Sequence, residues 1–220
     1  MFLSESLWIK SLLEEYCTFG STVLNIGSSS RYFREIVQPH ISQNFITTVA
    51  RNGGTVINQD LRDCEGVDLP GNIYSQDVLE KIRSVESDII VCSNMLEHVE
   101  DIGCFAKILS SLVGPGCLLI VTVPFIYPYH PDPIDNSFRP TPHEIAGLFK
   151  DLIVKKSEIV ESSTCYFRSI VNRGVPGVLK FILRLVFPVN GFHCWRKEWV
   201  YLRYLFRPYS VSCIALMNAA

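Results

Sequence analysis

Short apolar runs alternate along this chain with stretches of helical spacing. Thr22 to Gly27, Thr55 to Leu61, Asp88 to Cys92 and Cys117 to Val123 are brief runs that break off at a polar residue, a glycine or a proline, and they predict buried strands. Gly66 to Leu69 predicts a short third strand, Leu152 to Val160 a sixth and Tyr209 to Met217 a seventh that closes the sheet. Between them, Phe105, Ile108, Leu109 and Leu112 mark one face of a helix over Ile102 to Val113, and Arg31 to Val37 is helix-like. Thr141-Pro142-His143-Glu144 has the spacing of a capping box that opens a helix through Phe149. Leu3, Leu7, Trp8, Leu12 and Tyr16 form one face of an N-terminal amphipathic helix within residues 1–19. Strands and helices alternating at this rhythm predict a doubly wound, mostly parallel α/β sheet.

In such a sheet, ligands bind in the crevice beyond the C-terminal ends of the strands, so the residues that end each run are the candidates for chemistry. Gly27 followed by Ser28-Ser29-Ser30 makes a tight turn into a helix, which brings backbone N–H groups close to a ligand. Asp60 ends the second strand with a carboxylate that can accept from two hydroxyls together, and Asp68 competes for that role. The distance from Gly27 to Asp60 is longer than the roughly 20 residues of the usual unit, so extra structure must lie between them. After the fifth strand, residues 124–142 read PFIYPYHPDPIDNSFRPTP; the prolines stiffen an extended loop, and Phe125, Tyr127, Tyr129 and Phe138 can wall a pocket. His130, Asp132, Asp135 and Arg139 are expected to converge there, beyond the strand ends. His130 is the best candidate for a general base and His98 the second, since an imidazole titrates near neutrality. The competing reading for His130 is a loop-fixing hydrogen bond to Asp132 or Asp135, and for Arg139 a pairing with Asp135. Glu97 is expected to order a helix start.

The run Asn94-Met95-Leu96-Glu97-His98-Val99-Glu100-Asp101 resembles the fourth-strand motif of the class I S-adenosylmethionine-dependent methyltransferases. The strand-Gly27-helix unit, Asp60 and the Gly114-Pro115-Gly116 break before the fifth strand follow that family's order over residues 20 to 160. The resemblance implies a seven-stranded Rossmann-like sheet and a methyl-transferring enzyme with S-adenosylmethionine as cofactor and S-adenosylhomocysteine as product. It places Asn25, Gly27 and Ser28 at the first loop, Asp60 and Leu61 at the ribose, Asn72 and Ile73 at the adenine, and Asn94, Met95 and Leu96 beside the sulfonium. Asn25 and Asn72 stand where the family often has acidic residues, and serines replace later glycines of the first loop. The acceptor implied is a small molecule, a sugar or a glycan or lipid precursor, methylated on oxygen with His130, His98, Asp135 and Arg139 nearby. A nicotinamide-dependent oxidoreductase would share the strand-Gly-helix unit and Asp60 but lacks a full G-x-G-x-x-G here. A non-catalytic interaction module on the same fold is the third reading.

Composition narrows the class. With 220 residues, 48% hydrophobic and 19% charged, the chain can bury one sizeable core as a single domain. No stretch of roughly 18 uncharged apolar residues occurs, and the eight cysteines include no Cys-x-x-Cys pair, so the expectation is a cytoplasmic protein with reduced thiols and no bound metal. Charge is segregated: Tyr166 to Pro208 carries eight Lys/Arg against one Glu, a net of +7, while the other residues hold 12 basic and 21 acidic side chains, a net of −9. This basic, aromatic insert, residues 162–208, separates the sixth and seventh strands. Three readings fit it: a lid over the acceptor pocket, a homodimer contact on an otherwise monomeric fold, or a peripheral surface for anionic lipid. The pI of about 6.2 argues against a nucleic-acid partner.

Overall fold

A computed structural model describes residues 1–130, 134–188, 191–202 and 204–218. Seven strands form one sheet: β1 (Thr22–Ile26), β2 (Thr55–Asp60), β3 (Leu69–Pro70), β4 (Ile89–Ser93), β5 (Leu118–Ile126), β6 (Ile153–Cys165) and β7 (Pro208–Met217). Their order is β3-β2-β1-β4-β5-β7-β6. Pairing is parallel from β3 through β5 and antiparallel on both sides of β7, which enters between β5 and β6 rather than lying at an edge.

The helices are α1 (Leu3–Tyr16), α2 (Pro39–Ile41), α3 (Thr47–Arg51), α4 (Gln76–Arg83), α5 (Ile102–Leu112), α6 (Pro142–Ala146), α7 (Tyr166–Val171), α8 (Gly174–Val186) and α9 (Phe192–Leu202). The extra structure expected between Gly27 and Asp60 is a broken helical run in which α2 and α3 alternate with two wide turns, Phe33–Val37 and Ser42–Ile46. In the first of these the Gln38 N–H reaches back five residues to the Phe33 carbonyl at 2.8 Å.

Period-two alternation splits the core into two layers. Leu24, Ile90, Leu119, Val121 and Ile214 face α5, with Phe105 and Leu109 packed on them. Val23, Val91, Ile120 and Cys213 face α1, with Ile9, Leu12, Leu13 and Phe45 covering them. Burial pushes the Cys117 thiol up to about 11 and those of Cys92 and Cys213 higher still, so these cysteines act as small hydrophobes.

Three expectations need correction. The buried face of α1 is Glu5, Ser6, Trp8, Ile9, Leu12 and Leu13, whereas Leu3 and Leu7 are exposed. The rotation follows from Glu5, whose carboxylate is drawn into the sheet by partners on β5 and after β4. The fifth strand does not stop at Pro124 but continues to Ile126. By then the β4 ladder has ended at Ser93 opposite Thr122, and Pro124 lies at a register shift against β7, so the missing N–H disturbs only an irregular edge. The capping box at Thr141 and Glu144 is present, but α6 ends at Ala146 instead of Phe149.

Candidate functional site

The parallel strands end together along one edge, and the first loop there is built around an arginine. Gly27 takes φ +72° and Ser29 φ +57°, a left-handed conformation usually left to glycine. A Cβ at Gly27 would lie 2.3 Å from the sulfur of the flexible Met95 side chain, which could shift, so it is the positive φ that favours glycine here. Arg34, 3% exposed, donates to the carbonyls of Ser28, Ser29 and Gly66 and thereby fixes the loop shape that serines alone would leave free. Burial lowers the Arg34 guanidinium from its ordinary value. The Ser28 N–H donates to the Gln59 carbonyl, and its side chain is buried.

Asp60 stands at the end of β2 against this loop. Its Oδ2 accepts from the Ser29 N–H at 2.7 Å, and its Oδ1 accepts from the Arg62 N–H at 3.1 Å and Arg62 Nε at 3.3 Å. Asp68, the competing carboxylate, instead accepts from Asn58 N–H and Nδ2, and Asn58 in turn accepts from Asn25 Nδ2. Asn25 therefore belongs to a buried amide relay between β1 and β2. Leu61 is exposed beside Asp60; Asn72 is exposed with Oδ1 accepting from the Tyr74 N–H, and Ile73 packs into the α5 layer.

The turn after β4 carries the most constrained groups. Asn94 has φ +52°; its N–H donates to the Thr122 carbonyl and its Nδ2 to Glu5 at 2.8 Å. Glu5 also accepts from Thr122 Oγ1 at 2.6 Å and from the Phe2 N–H at 3.0 Å, with no exposed surface. Met95 lies over Gly27, and Leu96 is in the core. Glu97 stands in the first turn of a short helical segment, Leu96–His98, but it is fully buried, neither carboxylate oxygen has a hydrogen-bond partner in another of the described residues, and burial raises its pKa to about 8.

The loop after β5 is stitched onto this turn. Asn136 donates through Nδ2 to the carbonyls of Leu96 and Val99, and its N–H donates to the Glu97 carbonyl. Asp135 has no exposed side-chain surface; His130 Nδ1 stands 3.4 Å from its Oδ2, and it accepts from both terminal nitrogens of Arg139 and from the His130 and Ser137 N–H groups, which together hold its carboxyl well below the usual range despite burial. Asp135 and Arg139 thus sit behind His130 and position it. His98 and His130 stand edge to face, ring centres 5.1 Å apart, and Tyr127 likewise meets His130 edge to face at 4.8 Å. Tyr127 continues to Tyr209, whose hydroxyl meets Ser169 Oγ of α7 at 3.0 Å, so the base of the insert adjoins the site. Asp132 lies outside the described residues.

Sequence reasoning missed Glu5, Arg34 and Asn136. Their decisive partners are distant in sequence: Asn94 and Thr122 for Glu5, Gly66 for Arg34, and Leu96 and Val99 for Asn136. A separate hollow, lined by Arg83, Asp88, Ser111 and Cys117, lies at the opposite, N-terminal edge of the sheet.

No protein-family model and no curated protein matches the chain. Solved structures do. The cyclase SpnF superposes over 97% of this chain and 81% of its own, with a TM-score of 0.53 at 14% identity. Coclaurine N-methyltransferase, bound to N-methylheliamine and S-adenosylhomocysteine, matches over 97% and 70% with a TM-score of 0.51 at 11% identity. The MccD protein matches over 96% of each chain with a TM-score of 0.50 at 9% identity. The fold is that of the class I methyltransferases. Within this methyltransferase fold the first loop, Asp60 and the turn after β4 share one edge of the sheet, and the His98–His130 pair faces the same edge. A cyclase among the structures of this fold is a reminder that architecture alone does not fix the reaction.

Proposed function

We propose that the chain is an S-adenosylmethionine-dependent methyltransferase acting on an oxygen of a small acceptor of the sugar, glycan-precursor or lipid-precursor class. The observation that carries this reading is the meeting of the Asn94–Val99 turn, the Gly27 turn and two histidines at one strand edge of a methyltransferase fold. The residues fit the cofactor on one condition. Asp60 can accept from ribose hydroxyls if Arg62, whose side chain is 65% exposed, turns away from Oδ1 while the Ser29 N–H holds Oδ2. Bound S-adenosylmethionine supplies a methyl group on a sulfonium. Exposed Asn72 would offer its amide to the adenine, and Met95 would offer apolar surface, while Leu96 stays in the core behind it. The chain then has to hold the acceptor oxygen in line and remove its proton.

Calorimetric titration with S-adenosylmethionine and S-adenosylhomocysteine, with NADH and NADPH as controls, tests the reading. Micromolar binding of the sulfur compounds alone is expected. Asp60→Ala should weaken it roughly 10- to 100-fold, the worth of a hydrogen bond to a charged group. Binding of neither class by folded protein would move the chain to the interaction modules, and binding of NADH alone to the oxidoreductases.

His98 and His130 are the groups for the acceptor. Each ring has Nδ1 against a backbone carbonyl, that of Ile134 for His98 and that of Pro128 for His130 at 3.1 Å, which turns Nε2 toward the edge. His130→Ala is expected to reduce turnover roughly 100- to 10,000-fold while leaving cofactor affinity unchanged. A variant that retains full turnover would return His130 to a loop-fixing role.

The lipid-precursor class is favoured by the insert. In α8, Val175, Leu179, Ile182, Leu183 and Val186 recur on one face, and every one is about half exposed or more. No residue of α8 is buried. An apolar stripe on a segment of net charge +7 matches an anionic bilayer interface better than a closed lid, which would bury the stripe. Co-sedimentation with phosphatidylglycerol vesicles should exceed that with phosphatidylcholine, and Leu179→Ser/Leu183→Ser should abolish it. Dimerisation lost in the same variant, without vesicle binding, would assign the stripe to a second copy instead.

A further inference from the structure

Glu97 poses a problem that the methyltransferase reading does not solve. Its carboxylate is fully buried, both oxygens lack partners among the described residues, and Oε1 points at His98 Nε2, 3.6 Å away. Protonation would remove the charge but leave the O–H and the carbonyl oxygen unsatisfied, and a buried polar group without partners is costly. Beside it stand two imidazoles whose Nδ1 atoms face main-chain carbonyls, so that in the tautomer that donates there Nε2 carries the lone pair. A histidine that donates one ring N–H to a carbonyl and presents the other nitrogen is the usual posture of a metal ligand. One oxygen of Glu97 and one nitrogen each from His98 and His130 lie within 4.8 Å of one another.

We propose that Glu97, His98 and His130 bind a divalent transition-metal ion of the zinc or iron(II) class. Two imidazoles and one carboxylate are borderline ligands that suit these ions, and three protein ligands leave at least one coordination position for an incoming oxygen. Ligands at roughly 2.1 Å from a tetrahedral ion stand about 3.4 Å apart. The Glu97–His98 pair is already near that spacing, and His130, one-third exposed on its loop, closes the rest by a small ring movement. Asp135 does not compete, because Arg139 and two backbone N–H groups use its carboxylate. The site rests on the functional reading in one respect only: the open position faces the edge where the acceptor is placed. There the ion would bind the acceptor oxygen and lower its pKa, so that the imidazoles serve as ligands and the proton leaves to solvent.

The test uses the full chain, stripped of metal, without S-adenosylmethionine. Titration with Co²⁺ should give one equivalent of visible d–d absorption, displaced by Zn²⁺, without the near-ultraviolet thiolate bands that cysteine ligation would produce. Glu97→Gln, His98→Ala and His130→Ala should each weaken Co²⁺ by more than the roughly 10- to 100-fold lost with an outer-shell partner. Glu97→Gln is isosteric with the buried carboxyl and His130→Ala lies on a loop, so at least one variant keeps the native circular dichroism. No Co²⁺ or Zn²⁺ binding by folded protein, thiolate bands, or binding unchanged in the variants would each overturn the proposal. Because the cofactor is absent from this experiment, such a result leaves the calorimetric test of methyl transfer unaffected.

Discussion

Glu5→Ala is expected to lower stability by about 3–4 kcal/mol, because it removes an acceptor shared by Asn94, Thr122 and the Phe2 N–H and leaves the first two without a partner. In a chain of this size each kcal/mol lowers Tm by about 2–4 °C, so thermal unfolding by circular dichroism reads the loss directly. Glu5→Gln, which keeps one acceptor oxygen, should cost less. Leu7→Ser, on the exposed face of α1, should stay within about 0.5 kcal/mol. The opposite ranking would mean that α1 is held by its apolar face alone. The effect should extend to the site, since Asn94 leads directly into Met95, which lies on Gly27.

The second large effect is expected from Arg34→Ala. Three carbonyls of the first loop and its neighbour, those of Ser28, Ser29 and Gly66, lose their donor at a position only 3% exposed. A loss of about 2–4 kcal/mol follows from unpaired acceptors and the space left behind. Cofactor affinity should fall with it, because the Ser29 N–H that meets Asp60 depends on the same loop. Arg34→Lys should recover only part of the loss: an ammonium is a point charge and cannot span three carbonyls as a planar guanidinium does. Chemical denaturation together with S-adenosylhomocysteine calorimetry separates the two effects. Unchanged stability in Arg34→Ala would show that the loop holds its shape without this side chain.

The layered α/β architecture was legible because buried parallel strands write themselves as uninterrupted apolar runs, as Ile89 to Cys92 and Leu118 to Val121 do. The rotation of α1 was not, because Leu3 and Leu7 satisfy a periodicity count as well as Ile9 and Leu13; what decides is the hydrogen bonding of one glutamate to residues some 90 and 117 positions away. For the same reason the first loop looked merely impoverished in glycine. Its serines are held in place by Arg34, whose role depends on a helix turn bringing it back under the loop. At the candidate site, strand order and the family resemblance put His98 and His130 each near the acceptor, and pairing with Asp135 was one of two readings for Arg139, the one the structure shows. It did not expose Glu97, since a carboxylate after a strand is ordinarily solvated; only burial by the stitched-down loop makes its charge unusual.

The entry of β7 between β5 and β6 has a consequence for how the molecule is assembled during synthesis. β1 to β5 can pair in the order in which they leave the ribosome, but β6 finds a neighbour only in β7 among the described strands. Its 13 residues must therefore wait for Pro208 onward, with more than 40 residues of insert emerging in between. Through that interval β6 is an unpaired edge, the kind of surface on which nascent chains stick to one another. The charges spread along it, Lys155, Lys156, Glu158 and Glu161, are well placed to keep the growing chain apart from its copies until the last strand arrives.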